Sequence, residues 1–545
     1  MTTAPATSAP RGTVGVSVAQ LAWLAAGAIF FAFRLAALFS APVGGVELDS
    51  LAGAWQAHTG NADERFIPTL YQAITALSFA VTTSEFPARV LALLAACSVP
   101  FALYRLRPAL GEIGALVALI VLALDPVSIL LGATAWHGGF DLAIAAWLLV
   151  MLREGRAPGW SLAAAGFAVA TAGAAVLPVV LGFAAVRLAR QQYPSRENAL
   201  WAASGVIFGG VVAASSFGFG LQDPTLPPIA AFGRGFEAGW STQSTGSLAM
   251  LYSFPVLVLG SAAALYHAYQ CWSIDEWAED SAGLLAAAAL GLAWVVVSAG
   301  SSDPVPLAAA AFPLALLIGK VAPDAVGAVT RVSWLYAVLP LAALAFALFI
   351  AEAYVVDWAR VDRVGPGRDK LIVTGLVIAA VACAGLLASN RRTAPAIFVP
   401  VVAVAAFLML SGASGVSFGA PNEPLPSPIS TIQGREIRDI ALLAREQQGG
   451  LIVVHSSLQE ASTWPLRYSG EIVFATRVPA EATVVVWPVT EPAPDGFGVV
   501  EGRWSLQETR PGPDGDFLDY LRWLSNRNIL VNGFEPLAVY LRTTE

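Results

Sequence analysis

Gly12-Thr-Val-Gly-Val-Ser-Val-Ala-Gln-Leu-Ala-Trp-Leu-Ala-Ala-Gly-Ala-Ile-Phe-Phe-Ala-Phe33 contains no Asp, Glu, Lys, Arg or His, and it is bounded by Arg11 and Arg34. Wound as a helix at about 1.5 Å per residue, it is long enough to cross the ~30 Å hydrocarbon core of a bilayer. Residues 157–186, 198–222, 238–266, 281–302, 332–351, 371–390 and 393–422 are equally free of charge. A soluble protein has no use for so many uncharged runs of this length. After Pro421 the composition becomes that of an ordinary aqueous domain. The fold class this predicts is an α-helical polytopic membrane protein with a C-terminal α/β domain.

Composition agrees. The chain is 57% hydrophobic and 12% charged, against about 25% charged residues in a typical soluble domain. Its net charge of −8 argues against nucleic acid as a partner. The three cysteines, Cys97, Cys271 and Cys383, all lie in or beside apolar segments. The C-terminal part therefore has neither a disulfide framework nor a cysteine zinc site. The first apolar run exceeds the length of a signal-peptide core and reads as a retained span.

Spans are expected at about 18–38, 88–105, 111–131, 139–152, two short passes within 157–190, 199–219, 248–270, 282–300, 304–321, 333–353, 371–389 and 395–413. That is about thirteen crossings by the ~20-residue criterion. Arg105, Arg107, Arg153, Arg156, Arg187, Arg190, Arg196, Lys320, Arg331, Arg391 and Arg392 then fall on one side, which the positive-inside rule makes cytoplasmic. The organisation follows: a cytoplasmic tail at 1–16, a membrane domain at 17–413 with an outer loop at 40–86, a linker at 414–430 and an extracytoplasmic α/β domain at 431–545. Ile67–Thr83 is placed on the membrane surface, since Pro68 can open a helix and Leu70, Ile74, Leu77 and Val81 recur at helical spacing. In the aqueous domain, helices are expected at 435–447 and 516–526, and strands at 451–455, 471–475, 483–489 and 536–542.

The outer loop carries the chemistry. It reads Pro42-Val-Gly-Gly-Val-Glu47-Leu-Asp49-Ser-Leu-Ala-Gly-Ala-Trp-Gln-Ala-His58-Thr-Gly60, then Asp63-Glu64-Arg65-Phe-Ile-Pro68-Thr-Leu-Tyr71. Two carboxylates follow a span, a helical segment runs to a glycine, and a Pro-x-Leu-Tyr segment opens a surface helix. Further on come Glu85-Phe-Pro-Ala-Arg89 and, after the Asp125-Pro126 turn, Trp136-His137-Gly-Gly-Phe-Asp141.

In this order, residues 30–160 resemble the GT-C superfamily of membrane glycosyltransferases, in particular its protein-mannosyltransferase and aminoarabinose-transferase branch. Here Glu47-Leu48-Asp49 stands where the family has adjacent acids, Phe66-Ile67-Pro68-Thr69 stands where it has a His-Pro segment, and His137 stands where it has a basic residue. The resemblance implies transfer of a sugar, with inversion, from a polyprenyl-phosphate carrier to a protein, lipid or glycan acceptor on the outer face.

The chemistry of such a reaction independently asks for these residue types. A carboxylate at the membrane edge must deprotonate the acceptor hydroxyl, which Asp49 or Glu47 could do. Cationic groups must meet the departing phosphate, and Arg34, Arg65 and Arg89 suit bidentate contact, with His137 and Asp141 further candidates for binding substrate. A divalent cation, Mg or Mn, would need oxygen ligands such as Asp49 and Asp141. Each residue also has a plainer reading. Asp49-Ser50 could cap a helix at 51–58, Asp141 could cap the helix it opens, Glu47 could be solvated, and Arg34 and Arg89 could snorkel to the interface. Trp464-Pro465-Leu466-Arg467-Tyr468 reads as a packed aromatic turn. Two other functions fit less well: a non-catalytic GT-C-like helper in envelope glycan assembly or lipid-linked sugar flipping, and a transporter. Against the transporter stand the uncharged spans and the absence of an inverted pair of broken helices.

Overall fold

The computed structural model describes residues 17–41, 43–44, 46–59, 70–82, 84–136, 138–154, 163, 166, 176–189, 199–208, 253–274, 278–297, 305–331, 398–418, 429–430, 432–467, 469, 472–509, 533–534 and 536–543. The expected spans at 333–353 and 371–389, and the helix at 516–526, lie outside these residues.

Among the described residues, three helical stretches are long and apolar enough to cross a membrane: Val18–Ser40, Phe86–Arg105 and Leu307–Val329. Shorter apolar helices stand at Glu112–Leu124, Ala199–Phe208, Asp280–Val296 and Val401–Ser417. Helix α1 (Val18–Ser40) packs on α7 (Glu112–Leu124), and α7 packs on the Val305–Val329 helix. That helix contacts Phe254–Ile274 and Glu279–Val297, and the latter lies along Leu177–Ala189. Small residues permit a close crossing here: a Cβ on Gly114 would stand 2.5 Å from the Gly319 carbonyl oxygen, the kind of backbone approach that membrane helices use in place of a hydrophobic driving force. Many large apolar side chains face outward, including Val18 at 83%, Leu265 at 75% and Trp272 at 79% exposure. Such a surface suits lipid rather than water.

Two expected spans are broken. The 88–105 segment forms α4 (Phe86–Ala96) and α5 (Val99–Arg105), separated at Cys97 and Ser98. Pro100 sits in the first turn of α5, where its missing N–H costs no helical bond. The 111–131 segment is α7 followed by α8 (Pro126–Leu131); Asp125 has extended backbone and caps α8. Proline dictates both breaks. Helix α9 (Gly138–Glu154) then packs against α4 and α5.

The outer-loop segment holds α2 (Val46–Thr59) and α3 (Leu70–Ser78). Nine residues of α3 span only about 14 Å, too short to cross. Its buried residues are Tyr71, Thr75 and Ala76, followed by Phe79, whereas Leu77 and Val81 are exposed. Thus part of the expected apolar stripe faces away from the protein, as a helix between protein and lipid would place it.

In the C-terminal domain, strands β2 (Leu451–His455), β3 (Ile472–Ala475), β4 (Ala482–Pro488), β5 (Phe497–Val499) and β8 (Leu537–Arg542) form one sheet in the order β3-β2-β4-β8-β5. β2 runs parallel to β3 and β4; β8 is antiparallel to β4 and β5. Val484 and Val486 face the core that includes Ile437 and Ala441 of the Ile432–Gln448 helix, while Val485 and Trp487 face the opposite one. That alternation is the strand period of two. β1 (Ile429–Ser430), β6 (Gln507–Thr509) and β7 (Gly533–Phe534) make a second, smaller sheet.

Candidate functional site

Helix α2 brings Glu47 into the junction between α1, α4 and the turn before α9. There Arg89 Nε donates to Glu47 Oε1 at 2.6 Å, and a second guanidinium nitrogen of Arg89 donates to Oε2 at 2.7 Å. The backbone N–H of Ala135 donates to Oε1 at 2.8 Å. The remaining guanidinium nitrogen of Arg89 reaches the Leu38 and Ala41 carbonyls at 3.2 and 2.9 Å, at the end of α1. Glu47 is 0% and Arg89 4% exposed. Burying two charges is costly unless geometry and hydrogen bonds compensate, and here both carboxylate oxygens and all three guanidinium nitrogens are bonded. Glu47 is therefore not a solvated loop residue, and Arg89 does not snorkel. In this arrangement they face each other rather than a substrate.

Tyr71 of α3 donates to the Ala88 carbonyl at 2.7 Å, beside Arg89. Burial, with Glu47 adding to it, holds the phenol well above its ordinary pKa, so it stays a neutral donor. Its ring meets Phe140 edge-on at 5.7 Å, which ties the start of α9 to α3.

A second polar node lies deeper. Arg34 of α1 is fully buried and stands over its own neighbour Phe30, 3.4 Å from the ring centroid. It donates to the Phe30, Leu122 and Ser128 carbonyls, each at 3.1 Å. Its Nε has no hydrogen-bond partner among the described residues. Gly132 makes the room: a Cβ there would stand 2.9 Å from that Nε. Asp125 Oδ2 accepts from the Ser128 N–H at 2.9 Å and its hydroxyl at 2.7 Å, and Oδ1 accepts from Ser253 at 2.9 Å. Arg34 thus fastens α1 to α7 and α8 by backbone oxygens and, like Arg89, is buried among helices rather than at an interface.

The remaining expected residues divide. Asp49 lies within α2, which begins at Val46, so it does not cap a helix at 51–58. It follows Glu47 by two residues, about 200° further round the helix; its side chain lies outside the described part of the structure. Asp141 is 1% exposed in the first turn of α9 and is not that helix's cap. Phe140, next to it, touches Tyr71, so α9 begins at the same end of the bundle as α2, α3 and Arg89. Arg65 and His137 lie outside the described residues. Among the described residues, no group of three or more His, Cys, Asp or Glu stands ready for a metal ion.

The buried acid Asp125 was not among the expected site residues. Its signature is present, because Asp-Pro-x-Ser is a helix-capping pattern. Ser253 has no comparable signal. The Glu47–Arg89 pair joins residues 42 apart, which no local pattern reveals. Trp464 forms the packed aromatic expected of it, but its partner belongs to the membrane domain: its ring lies 5.6 Å from that of Phe79.

No family model and no curated protein matches the chain. Among solved structures it is similar to ArnT from Cupriavidus metallidurans bound to undecaprenyl phosphate, with a TM-score of 0.53 and 14% identity over 95% of this chain and 97% of that one. The apo state of ArnT from the same organism aligns over 85% of this chain and 86% of that one, at 14% identity and a TM-score of 0.46. At 14% identity the likeness to the lipid-bound structure is one of fold: the chain has an ArnT-like fold.

Proposed function

We propose that this protein is a GT-C-type glycosyltransferase. It moves a sugar from a polyprenyl-phosphate carrier to a protein, lipid or glycan acceptor at the outer face of the cell membrane, as in cell-envelope or protein glycosylation. The N-terminus is cytoplasmic and the C-terminal domain lies outside. The observation that carries this reading is the assembly at the α2 end of an ArnT-like fold, where a buried bidentate ion pair holds an acid-bearing helix over the starts of α4 and α9.

In the proposed reaction Asp49 takes the proton from the acceptor hydroxyl. The oxygen attacks the anomeric carbon, the bond from that carbon to the phosphate oxygen breaks, and polyprenyl phosphate leaves with the electron pair. Arg65 and His137 supply positive charge to the departing phosphate. Glu47, Arg89 and Arg34 act by positioning: Glu47 and Arg89 are bonded to each other, and Arg34 donates to the backbone carbonyls that tie α1 to α7 and α8. A Mg or Mn ion at this end would draw on Asp49 and Asp141, since Glu47 is engaged by Arg89.

A second reading, a non-catalytic relative serving lipid-linked sugar assembly, is favoured by one observation. Two residues expected to act on substrate, Glu47 and Arg89, satisfy each other. The separating experiment reconstitutes the protein in liposomes with a panel of undecaprenyl-phosphate monosaccharides and lipid or peptide acceptors. Transfer by the wild type and its loss in Asp49→Asn, with the protein still folded, is the expected result. Lipid binding without transfer across the panel would replace the transferase reading with the accessory one.

A further inference from the structure

We propose that Trp464 is a positioning residue, through which the C-terminal domain braces helix α2 and so completes the site on the membrane domain. The consequence for transfer rests on the function proposed above; the brace does not.

The anchor is built from the sheet outward. β2 ends at His455, a 3-10 turn covers Ser456–Leu458, and a short helix covers Gln459–Thr463. Leu458 and Leu466 are both buried in the core of the C-terminal domain, and the Leu466 N–H donates to the Ser462 carbonyl at 2.9 Å. Trp464 lies between those two leucines, yet its contacts are elsewhere. It is 3% exposed, in a cluster with Leu48, Leu51 and Ala54 of α2, Phe79, Ala88 and Ala135. Ala88 precedes Arg89, and Ala135 supplies the N–H that bonds Glu47. The indole therefore packs among the residues that hold the Glu47–Arg89 pair, reaching them from a different domain.

Arg467 locks the indole in place. Its guanidinium stands 3.7 Å from the Trp464 ring centroid and donates to the Trp464 carbonyl at 2.8 Å. It also pairs with Glu85, just before α4, at 3.7 Å. The contact thus has an apolar centre and a charged rim, the anatomy of a specific interface. Helix α2 needs such support. Its inward face offers Leu48, Leu51 and Ala54, with Trp55 partly buried beside them, and Trp464 adds a side chain of a kind that buries roughly 150–250 Å².

The test is hydrogen–deuterium exchange on the full-length protein in liposomes, read at residues 46–59 and at β2 and β4. Two variants approach the contact from opposite sides: Trp464→Ala in the C-terminal domain and Phe79→Ala in the membrane domain. Both should speed exchange in α2 by about tenfold or more while the strands stay protected. Trp464→Phe should restore most of the protection, and Arg467→Ala should act in the same direction more weakly. Turnover should fall with α2 protection, chiefly in kcat. Should α2 exchange stay at the wild-type rate in Trp464→Ala, the brace is wrong whatever Phe79→Ala does, because Phe79 also meets Trp55 and His58 of α2 directly. Should exchange respond while the wild type transfers no sugar, the brace stands and the proposed reaction fails.

Discussion

The two ends of the helical bundle handle charge in opposite ways. At the α2 end, Glu47 and Arg89 form a bidentate pair with 0% and 5% of their side chains exposed, and every polar atom of the pair is bonded. At the other end, Arg107 and Glu112 meet at 3.5 Å with 32% and 42% exposure, and Arg153 and Asp280 at 3.6 Å with 27% and 48%. Trp23 also donates to Glu112 there, and Lys320 bonds the Ala109 carbonyl. Exposed pairs of this kind contribute little to stability. The difference marks the α2 end as the one where charge is held in a fixed, water-free geometry, and the opposite end as the one where charge meets solvent.

The largest effect should come from breaking the buried pair. Glu47→Ala leaves the Arg89 guanidinium buried against carbonyls alone, and the expected loss is about 3–5 kcal/mol, seen as a steep fall in thermal stability of the detergent-solubilised protein. A stability as high as the wild type's would show that water reaches this end and that the comparison is false.

A smaller effect is expected at Asp125. Asp125→Ala strands the Ser128 N–H, at a cost of about 1–3 kcal/mol for that donor, while the two serine hydroxyls can turn to other acceptors. The same thermal assay should rank it below Glu47→Ala. The reverse order would move the organising centre from the α2 end to the Arg34 node.

Least of all should follow from Glu112→Gln at the opposite end. Its exposed pair predicts a change of about 0.2–1 kcal/mol, screened further by salt. A loss matching that of Glu47→Ala would erase the distinction between the ends.

What the sequence made legible follows the range of each signal. Uncharged runs point to the membrane-spanning part, and short apolar runs point to β2, β3, β4 and β8, because both signals are local. The apolar stripe from Leu70 to Val81 predicts a helix reaching Thr83, whereas α3 ends at Ser78. Breaks within spans were harder: Cys97-Ser98 and Asp125 interrupt apolar stretches whose hydropathy is unchanged across the break. At the site, composition and position single out the acids and arginines but not their partners. Arg89 was read as facing phosphate and Glu47 as facing water, whereas a contact across 42 residues joins them. The small strands β1, β5, β6 and β7 escaped for a related reason, since two or three residues carry no period.

The central claim is that the α2 end is where the lipid carrier is read. Photocrosslinking tests it most directly: a photoactivatable undecaprenyl phosphate is irradiated with the protein in liposomes, and the adducts are located by mass spectrometry. The account predicts adducts on peptides from 46–78 and from the start of α9, reduced by excess undecaprenyl phosphate. Adducts confined to the Arg107, Glu112 and Asp280 end, with none near α2, would contradict it.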